Sequence, residues 1–311
     1  FDEKQVEEGR NFATKLWNAA RFRQMHGPSE ATPDLSKHTL SIYAIEVLAR
    51  LDATIDVIED AYRSYRFSEV AQALYDFFWG DYCDWFVEAA KTDIFAEEPA
   101  RKAAVLAVMD HALSAVLRLL HPFMPHITEE LWALLALGGE SIQFEAPPRK
   151  LDAGVLRAGA QERVKALYEL VQAGRNLRSE SRLPSNKKAQ FVLQTTVDWV
   201  EAELPTLSRL LNAESVSLEP AYEAAPGVPI AATSLGKLHL LMVGGDKEAE
   251  AERLDREIAK LETDLQATVR KLSNSSFVDK APPEVVTEHK QRQVDFTEKL
   301  TQLRAARQSL E

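Results

Sequence analysis

Apolar residues recur at helical spacing through the first 146 positions of this chain, and most breaks in the pattern fall at proline or glycine. Such a pattern permits long helices joined by short connections and little else. A first helix is predicted from about Asp2 to Met25, ending near Gly27-Pro28. A second begins near Ser36–Thr39 and carries Ile42, Ile45, Leu48, Ala49, Leu51, Ile55 and Ile58. After a break at Ser64–Phe67, with Ser68 as N-cap, a third presents Val70, Leu74, Phe77, Phe78, Tyr82, Trp85 and Phe86. A fourth follows Pro99 with Val105, Val108, Met109, Leu113, Val116, Leu117 and Leu120. His121-Pro122-Phe123-Met124-Pro125 stops it, because proline lacks the N–H and clashes with the preceding turn. Pro125 then opens a short helix through Ile127, Leu131, Trp132 and Leu135. The expectation is a mainly α chain whose residues 1–146 form an antiparallel helical bundle.

Beyond Ala146-Pro147-Pro148 one more helix is predicted, from about Leu151 to Ser181, with Val164, Leu167, Leu170, Val171 and Leu177 on its apolar face. The period then changes. Ala189–Thr195 reads as a strand, Val197–Leu211 as a helix and Ser215–Leu218 as a short strand. Pro229–Ser234 and Lys237–Val243 read as a hairpin turning at Leu235-Gly236. Residues 147–245 are therefore expected to be a small α+β connector.

From Asp246 the chain is charged, with a sparse apolar seam. Leu254, Ile258, Leu261, Leu265 and Leu272 fall at spacings of four and three, and His289, Phe296, Leu300, Leu303 and Leu310 continue the pattern. Ser273–Pro283 between them cannot be helical throughout, and the two arms are nearly equal. Residues 246–311 are predicted to fold as an antiparallel coiled-coil hairpin about 40 Å long at ~1.5 Å per residue. Within one chain such a hairpin leaves a monomer.

Gly9–Ser29 contains no acid, although the chain's formal charge is -11. On a helix, Phe12, Ala13, Leu16, Trp17, Ala19 and Ala20 gather on one side with Arg23 as the single intruder. Arg10, Asn11, Thr14, Lys15, Asn18 and Arg21 gather on the other, joined by Phe22. Guanidinium, ammonium and amide groups meet phosphates and base edges, and an aromatic ring takes a stacked base. Arg10, Asn11, Lys15, Asn18 and Arg21 are thus candidate RNA-binding residues, with Trp17 or Phe22 as a stacking ring. Trp17 lies nearer the packed side. Two basic clusters add candidate contacts to RNA phosphate: Arg175, Arg178, Lys187 and Lys188, and Arg270, Lys271 and Lys280 near the hairpin tip. Cations at a helix end also serve the helix dipole alone.

Composition narrows the field. Apolar content of 45% and charged content of 27% are those of a folded domain. The acidic balance argues against indiscriminate nucleic-acid binding, which needs a strongly basic face. Apolar runs such as Ala103–Met109 and Leu238–Val243 are core-sized, so no membrane contact is expected. The one cysteine, Cys83, excludes an internal disulfide, suits a reducing cytosol, and sits among aromatics as a core thiol rather than a nucleophile. His121 and His126, near Glu129 and Glu130, are too few and too scattered for zinc and read as structural. No phosphate-cradling glycine loop or nucleophile–base pair stands out.

Five segments carry a resemblance: RNFATKLWNAARF (10–22), RFSEVAQALYDFFWGDYCDW (66–85), LRLLHPFMPHITEELW (117–132), GRNLRSESRLPSNKK (174–188) and LSNSSFVDKAPPEVVTEHK (272–290). In this order they are similar to the carboxy-terminal part of the bacterial valyl-tRNA synthetases, class I aminoacyl-tRNA synthetases. The last looks like the tip of the coiled coil that distinguishes the valine enzymes from their isoleucine and leucine relatives. The resemblance implies a helical domain for the anticodon stem-loop of tRNA(Val), with Arg10, Asn11, Lys15, Asn18 and Arg21 on it, and a coiled coil against the tRNA corner. It implies a cytoplasmic ligase that joins valine to tRNA with ATP and Mg. The HIGH-like and KMSKS-like signatures and an editing domain are absent from this sequence, so no cofactor and no catalysis are expected of this stretch alone. A chain beginning at Phe1 is expected to be the carboxy-terminal part of something longer. The competing reading is a helical and coiled-coil protein-interaction scaffold without RNA.

Overall fold

The structure is a computed structural model that describes residues 3–151, 159–225, 227–241, 244–273 and 283–308. Helix α1 (Glu3–Gln24) is followed by a loop in which the Asp34 carboxylate accepts from the Ser36 amide and starts a one-turn 3-10 helix, Leu35–Lys37. Helix α2 (Ile42–Arg63) therefore starts later than the sequence pattern suggests. Its N-cap is Ser41, whose hydroxyl accepts from the Ala44 amide at 3.3 Å.

Tyr65, in the left-handed region at φ 56, breaks the chain before α3 (Phe67–Asp76). The cap position is Arg66, with no side-chain capping bond, so the predicted Ser68 cap is not used. The helix does not end at Asp76. It widens into a π-helical stretch, Phe77–Val87, and runs on as α4 (Glu88–Ile94). The i→i+5 pattern fits more residues into each turn, so rings spaced four apart stay nearly in line. Down the buried side Phe78 stacks on Tyr82 at 5.5 Å, and Tyr82 meets Phe86 at a tilt at 5.7 Å.

Helices α5 (Pro99–Leu120) and α6 (Pro125–Leu135) each carry proline in the first turn, as expected. By length and composition α5 is apolar enough to cross a membrane, with a mean hydropathy of 1.7 over its best 18 residues. The uninterrupted runs in the sequence did not reveal this. It is a core helix, 72% buried over that window, with α1, α2, α3, α4 and α6 packed on it.

One polar contact locks α1 to α5. Arg23 and Asp110 are 2% and 1% exposed. Arg23 Nη2 donates to Asp110 Oδ2 at 2.7 Å, and Nε lies 2.7 Å from Oδ1. Nη1 and Nη2 also donate to the carbonyls of Gly27 and Pro28, at 3.0 and 3.1 Å. The Glu30 amide completes the site by donating to Asp110 Oδ2 at 2.8 Å. The apparent intruder on the apolar side of α1 is thus a buried residue with a built partner.

Helix α7 runs from Ala160 to Glu180, and residues 152–158 of the predicted helix lie outside the described residues. Leu151 is irregular, and its amide donates to the Asp52 carboxylate at 3.2 Å. α7 packs on α2 with one side and on the sheet with the other. At Gly174 an added Cβ would lie 2.4 Å from Leu211 Cδ2 and 3.1 Å from Leu238 Cδ2, so the bare backbone permits this close approach. The sheet is mixed, in the order β2 (Ala213–Leu218), β1 (Ala189–Gln194), β4 (Gly236–Leu241), β3 (Ile230–Thr233). β1 pairs β2 in parallel, while β4 is antiparallel to β1 and β3. The predicted helix Val197–Leu211 is split into a 3-10 turn, Asp198–Glu203, and α8 (Leu204–Leu210), because Pro205 cannot continue the preceding hydrogen bonds. The hairpin turns at Ser234-Leu235, one residue earlier than predicted. Gly236 already belongs to β4 at φ 133, with Gln194 O only 2.2 Å from where a Cβ would stand.

Helices α9 (Gly244–Ser273) and α10 (Pro283–Gln308) lie along one another. Leu254, Leu261 and Thr268, seven residues apart, are buried together with Leu300 and Leu303. Thr268 is a seam position that apolar spacing alone did not reveal. Ile258, Leu265, Leu272, His289 and Phe296 are half-buried. Arg304 pairs with Glu262 at 2.7 Å and Arg307 with Asp255 at 3.0 Å. Leu310 lies outside the described residues.

Removing one partner of a buried ion pair leaves a bare charge and costs about 3–5 kcal/mol. Arg23→Met and Asp110→Asn are each expected to lose stability on that scale in urea denaturation. The double variant Arg23→Met/Asp110→Leu should lose less than the two singles together.

On α5, burial pushes the His111 imidazole down to about 4, helped by the Arg118 guanidinium. The unfolded chain takes up this proton near pH 6.5 and the folded chain not until about pH 4. The His111 contribution to stability therefore falls as pH drops through that window and levels off below it. In His111→Gln the decline between those pH values should be shallower, measured by denaturation across the range.

Candidate nucleic-acid interface

α1 turns the acid-free comb outward. Phe12, Leu16, Ala19, Ala20 and Arg23 are buried, whereas Arg10, Asn11, Asn18 and Arg21 are exposed. The Arg10 side chain is 70% exposed, with Glu7 at 3.7 Å. Asn11, Asn18 and Arg21 have no side-chain partner among the described residues. Lys15 sits at the edge of this face, 2.8 Å from Asp84 Oδ1 and 5.0 Å above the Trp79 ring. Burial disfavours its ammonium, but the adjacent Asp84 carboxylate outweighs this and holds its pKa above the usual lysine value. Lys15 is thus charged and partly neutralised, so it is a poorer phosphate ligand than Arg21.

A second row of side chains flanks the comb. It comes from α3, the π-helical stretch and α4, which run beside α1 in the same direction. Tyr75 stacks on Phe12 at 5.3 Å and on Trp79 at 5.5 Å. Further along, Lys91 lies 5.6 Å over the Phe22 ring. Phe22 meets His26 edge-on at 4.8 Å, and His26 meets Phe95 at 5.7 Å. Burial, with Lys102 and Arg23 nearby, lowers the His26 pKa. Cations, amides and rings interleaved in this way suit single-stranded nucleic acid, whose bases stack while its phosphates pair. Tyr75, Trp79, Lys91 and Phe95 were not singled out from sequence. Their only signal was a ring or cation on the outward side of a helix read mainly for its core. Trp17 packs half-buried against the core, in keeping with its position on the apolar side.

The basic cluster after α7 divides. Arg178 is 7% exposed and donates to the carbonyls of Asn212, Pro184 and Lys187 at 3.2, 3.2 and 2.5 Å. Burial lowers its pKa. Arg175 donates to Leu210 O through Nε and Nη2, at 3.3 and 3.2 Å, and covers the Trp85 ring at 4.9 Å. Trp85 in turn stacks on Tyr168 at 4.0 Å. Both arginines join α7 to its neighbours, Arg178 buried and Arg175 half-buried. Lys187 and Lys188 are exposed beside them. Arg270 and Lys271 are exposed in the last turn of α9, and Lys280 lies outside the described residues.

Among the described residues no His, Cys, Asp and Glu side chains converge as a metal site. His121 Nδ1 lies 2.8 Å from the Thr128 hydroxyl. Burial pushes the Cys83 thiol up to about 12, which leaves no thiolate at neutral pH.

Residues 45–193 match a family described as the anticodon-binding domain of tRNA ligase, and residues 246–311 match the valyl tRNA synthetase tRNA binding arm. The valine–tRNA ligase of Bacillus subtilis strain 168 is 33% identical over 306 residues, covering 96% of this chain and 34% of the relative. That of Neisseria meningitidis serogroup B is 35% identical over 318 residues, covering 97% of this chain and 33% of the relative. That of Geobacillus stearothermophilus is 33% identical over 314 residues, covering 98% and 35%. The chain belongs to the valine–tRNA ligase family. It spans about a third of the length of these relatives. The stretch matched to the family's anticodon-binding domain begins at Ile45, so the comb on α1 lies ahead of it, while α3, the π-helical stretch and α4 lie inside. The family's tRNA binding arm corresponds to α9 and α10.

Arg178→Met removes a buried guanidinium and its bonds to the carbonyls of Asn212, Pro184 and Lys187. It should cost about 1–3 kcal/mol in chemical denaturation, whereas Lys188→Gln, at an exposed position, should cost almost nothing.

Proposed function

We propose that this chain is the carboxy-terminal tRNA-binding part of a valine–tRNA ligase. The observation that carries the reading is the outward comb of Arg10, Asn11, Asn18 and Arg21, bordered by rings and cations from a neighbouring helix. In this reading residues 1–146 form an antiparallel bundle that takes the anticodon stem-loop of tRNA(Val). Arg10 and Arg21 meet phosphate, Asn11 and Asn18 meet base edges, and Lys15 assists. Residues 147–245 connect the bundle to an antiparallel coiled coil, residues 246–311, which lies against the tRNA corner. Lys187, Lys188, Arg270, Lys271 and Lys280 add electrostatic contacts there. Two separated contacts on one RNA raise the effective concentration of each, so neither needs to be strong alone.

The activity belongs to the longer protein: ATP-dependent attachment of valine to tRNA, with ATP and Mg bound in its other domains. The chain is a monomer in the cytoplasm, with no membrane partner. The protein-interaction scaffold without RNA is the reading that the test must exclude.

The test is equilibrium binding of this chain to a tRNA(Val) transcript and to a tRNA with a different anticodon, each at two salt concentrations. Preference for tRNA(Val), lost as salt rises, supports the reading; no binding at either salt returns the chain to a scaffold. Arg21→Gln should weaken binding several-fold and flatten the log–log salt dependence by about one unit, with stability unchanged. Deleting Asp246–Glu311 should weaken binding without unfolding residues 1–245; unchanged affinity would remove the arm from the interface.

A further inference from the structure

The row of rings beside α1 does not stop at Phe95. It opens into a cleft of about 500 Å³ between α4, α8 and the start of β2. Lys91, Thr92, Phe95, Lys188, Ser208 and Arg209 line it. The volume falls within the usual range for sites that enclose a small ligand, roughly 300–1,000 Å³.

Phe95 is 61% exposed, so most of its ring surface is open to the cleft. One side of the ring is braced by His26, and the Arg209 guanidinium lies 5.7 Å from its centroid. Neither Arg209 nor Lys188 has a carboxylate partner among the described residues. Lys91 is partly neutralised by Glu88. The one acid on the rim, Glu214, accepts from Gln190 Nε2 at 3.1 Å. The Thr92 hydroxyl is buried and has no hydrogen-bond partner. The cleft therefore offers an open aromatic surface and three cations, at the end of the comb. No apolar ligand needs three cations, and a simple anion would not need the ring.

We propose that this cleft holds one unpaired nucleotide of the bound RNA, with the base stacked on the platform of Phe95 and Arg209 and the phosphate paired with Lys188, Arg209 and Lys91. The site rests on the reading of the chain as an RNA-binding protein. It adds a contact in the seam between the helical part and the sheet module, which α1 alone does not reach. Stacking is tolerant of base identity, so the cleft strengthens binding more than it selects sequence.

The test is binding of a tRNA(Val) transcript to the whole chain carrying Phe95→Ala, Phe95→Trp or Arg209→Gln, beside Arg21→Gln on α1. Phe95 is exposed, so its variants should fold, which thermal denaturation verifies. Losing a stacked base should weaken binding about tenfold in Phe95→Ala, and Phe95→Trp should restore it to within about twofold of the original, because an indole stacks equally well. Arg209→Gln should weaken binding and lower the salt slope by about one unit. Wild-type affinity in Phe95→Ala alongside weakened Arg21→Gln would empty the cleft and leave the α1 reading standing. Equal loss in Phe95→Ala and Phe95→Trp would overturn stacking. Failure of the unaltered chain to bind tRNA would overturn the site and the reading together.

Discussion

The contact on which the candidate interface depends is the buried pair of Arg23 and Asp110. Burying two charges removes them from water at a cost that their attraction roughly offsets. Its consequence is therefore positional. The guanidinium reaches one carboxylate on α5 and two carbonyls of the loop after α1, while the same carboxylate accepts from the Glu30 amide. Helix rotation, helix end and loop path are set together. Arg21 and Asn18, which share the helix with Arg23, point to solvent because Arg23 points to Asp110.

The widened turns of Phe77–Val87 set the other border. Sixty-nine positions separate Lys15 from Asp84, and the same interval separates Phe22 from Lys91 and His26 from Phe95. The two segments thus keep a constant register over three helical turns. Its buried rings, Phe78, Tyr82 and Phe86, hold the π-helical stretch against the core, while Tyr75, Trp79 and Phe95 on α3, the same stretch and the chain just past α4 come to lie beside α1.

An acidic chain can bind an acidic polymer only if its charges are sorted. Here carboxylates are paired off where they approach the comb: Asp84 with Lys15, and Glu88 with Lys91. Arg21 and Arg209 have no such partner among the described residues, and Arg10 has only a distant, exposed one. Exposed charges more than a Debye length of about 10 Å away are largely screened, so the net charge of -11 acts weakly at the comb. A net charge is a sum over the surface, whereas a phosphate responds to its nearest neighbours.

The helices, the strands and the comb were legible in the sequence because helix period and strand alternation are local properties, carried by residues such as Leu16, Ile55 and Leu113. The helix ends were less legible where a loop made its own bonds: Asp34 built a turn of its own, and Leu151 bonded to Asp52. The fates of individual cations were not legible, because a guanidinium looks the same in sequence whether it meets water, a ring or a carbonyl. Arg178 and Arg175 read as surface charges and became internal ties, while Arg23 read as a misfit and became the lock. The sequence by itself determined which faces are apolar and where acids are missing. Only the tertiary structure decided which cations remain available and which rings stand beside them, because those partners lie dozens of residues away and are brought near only by packing.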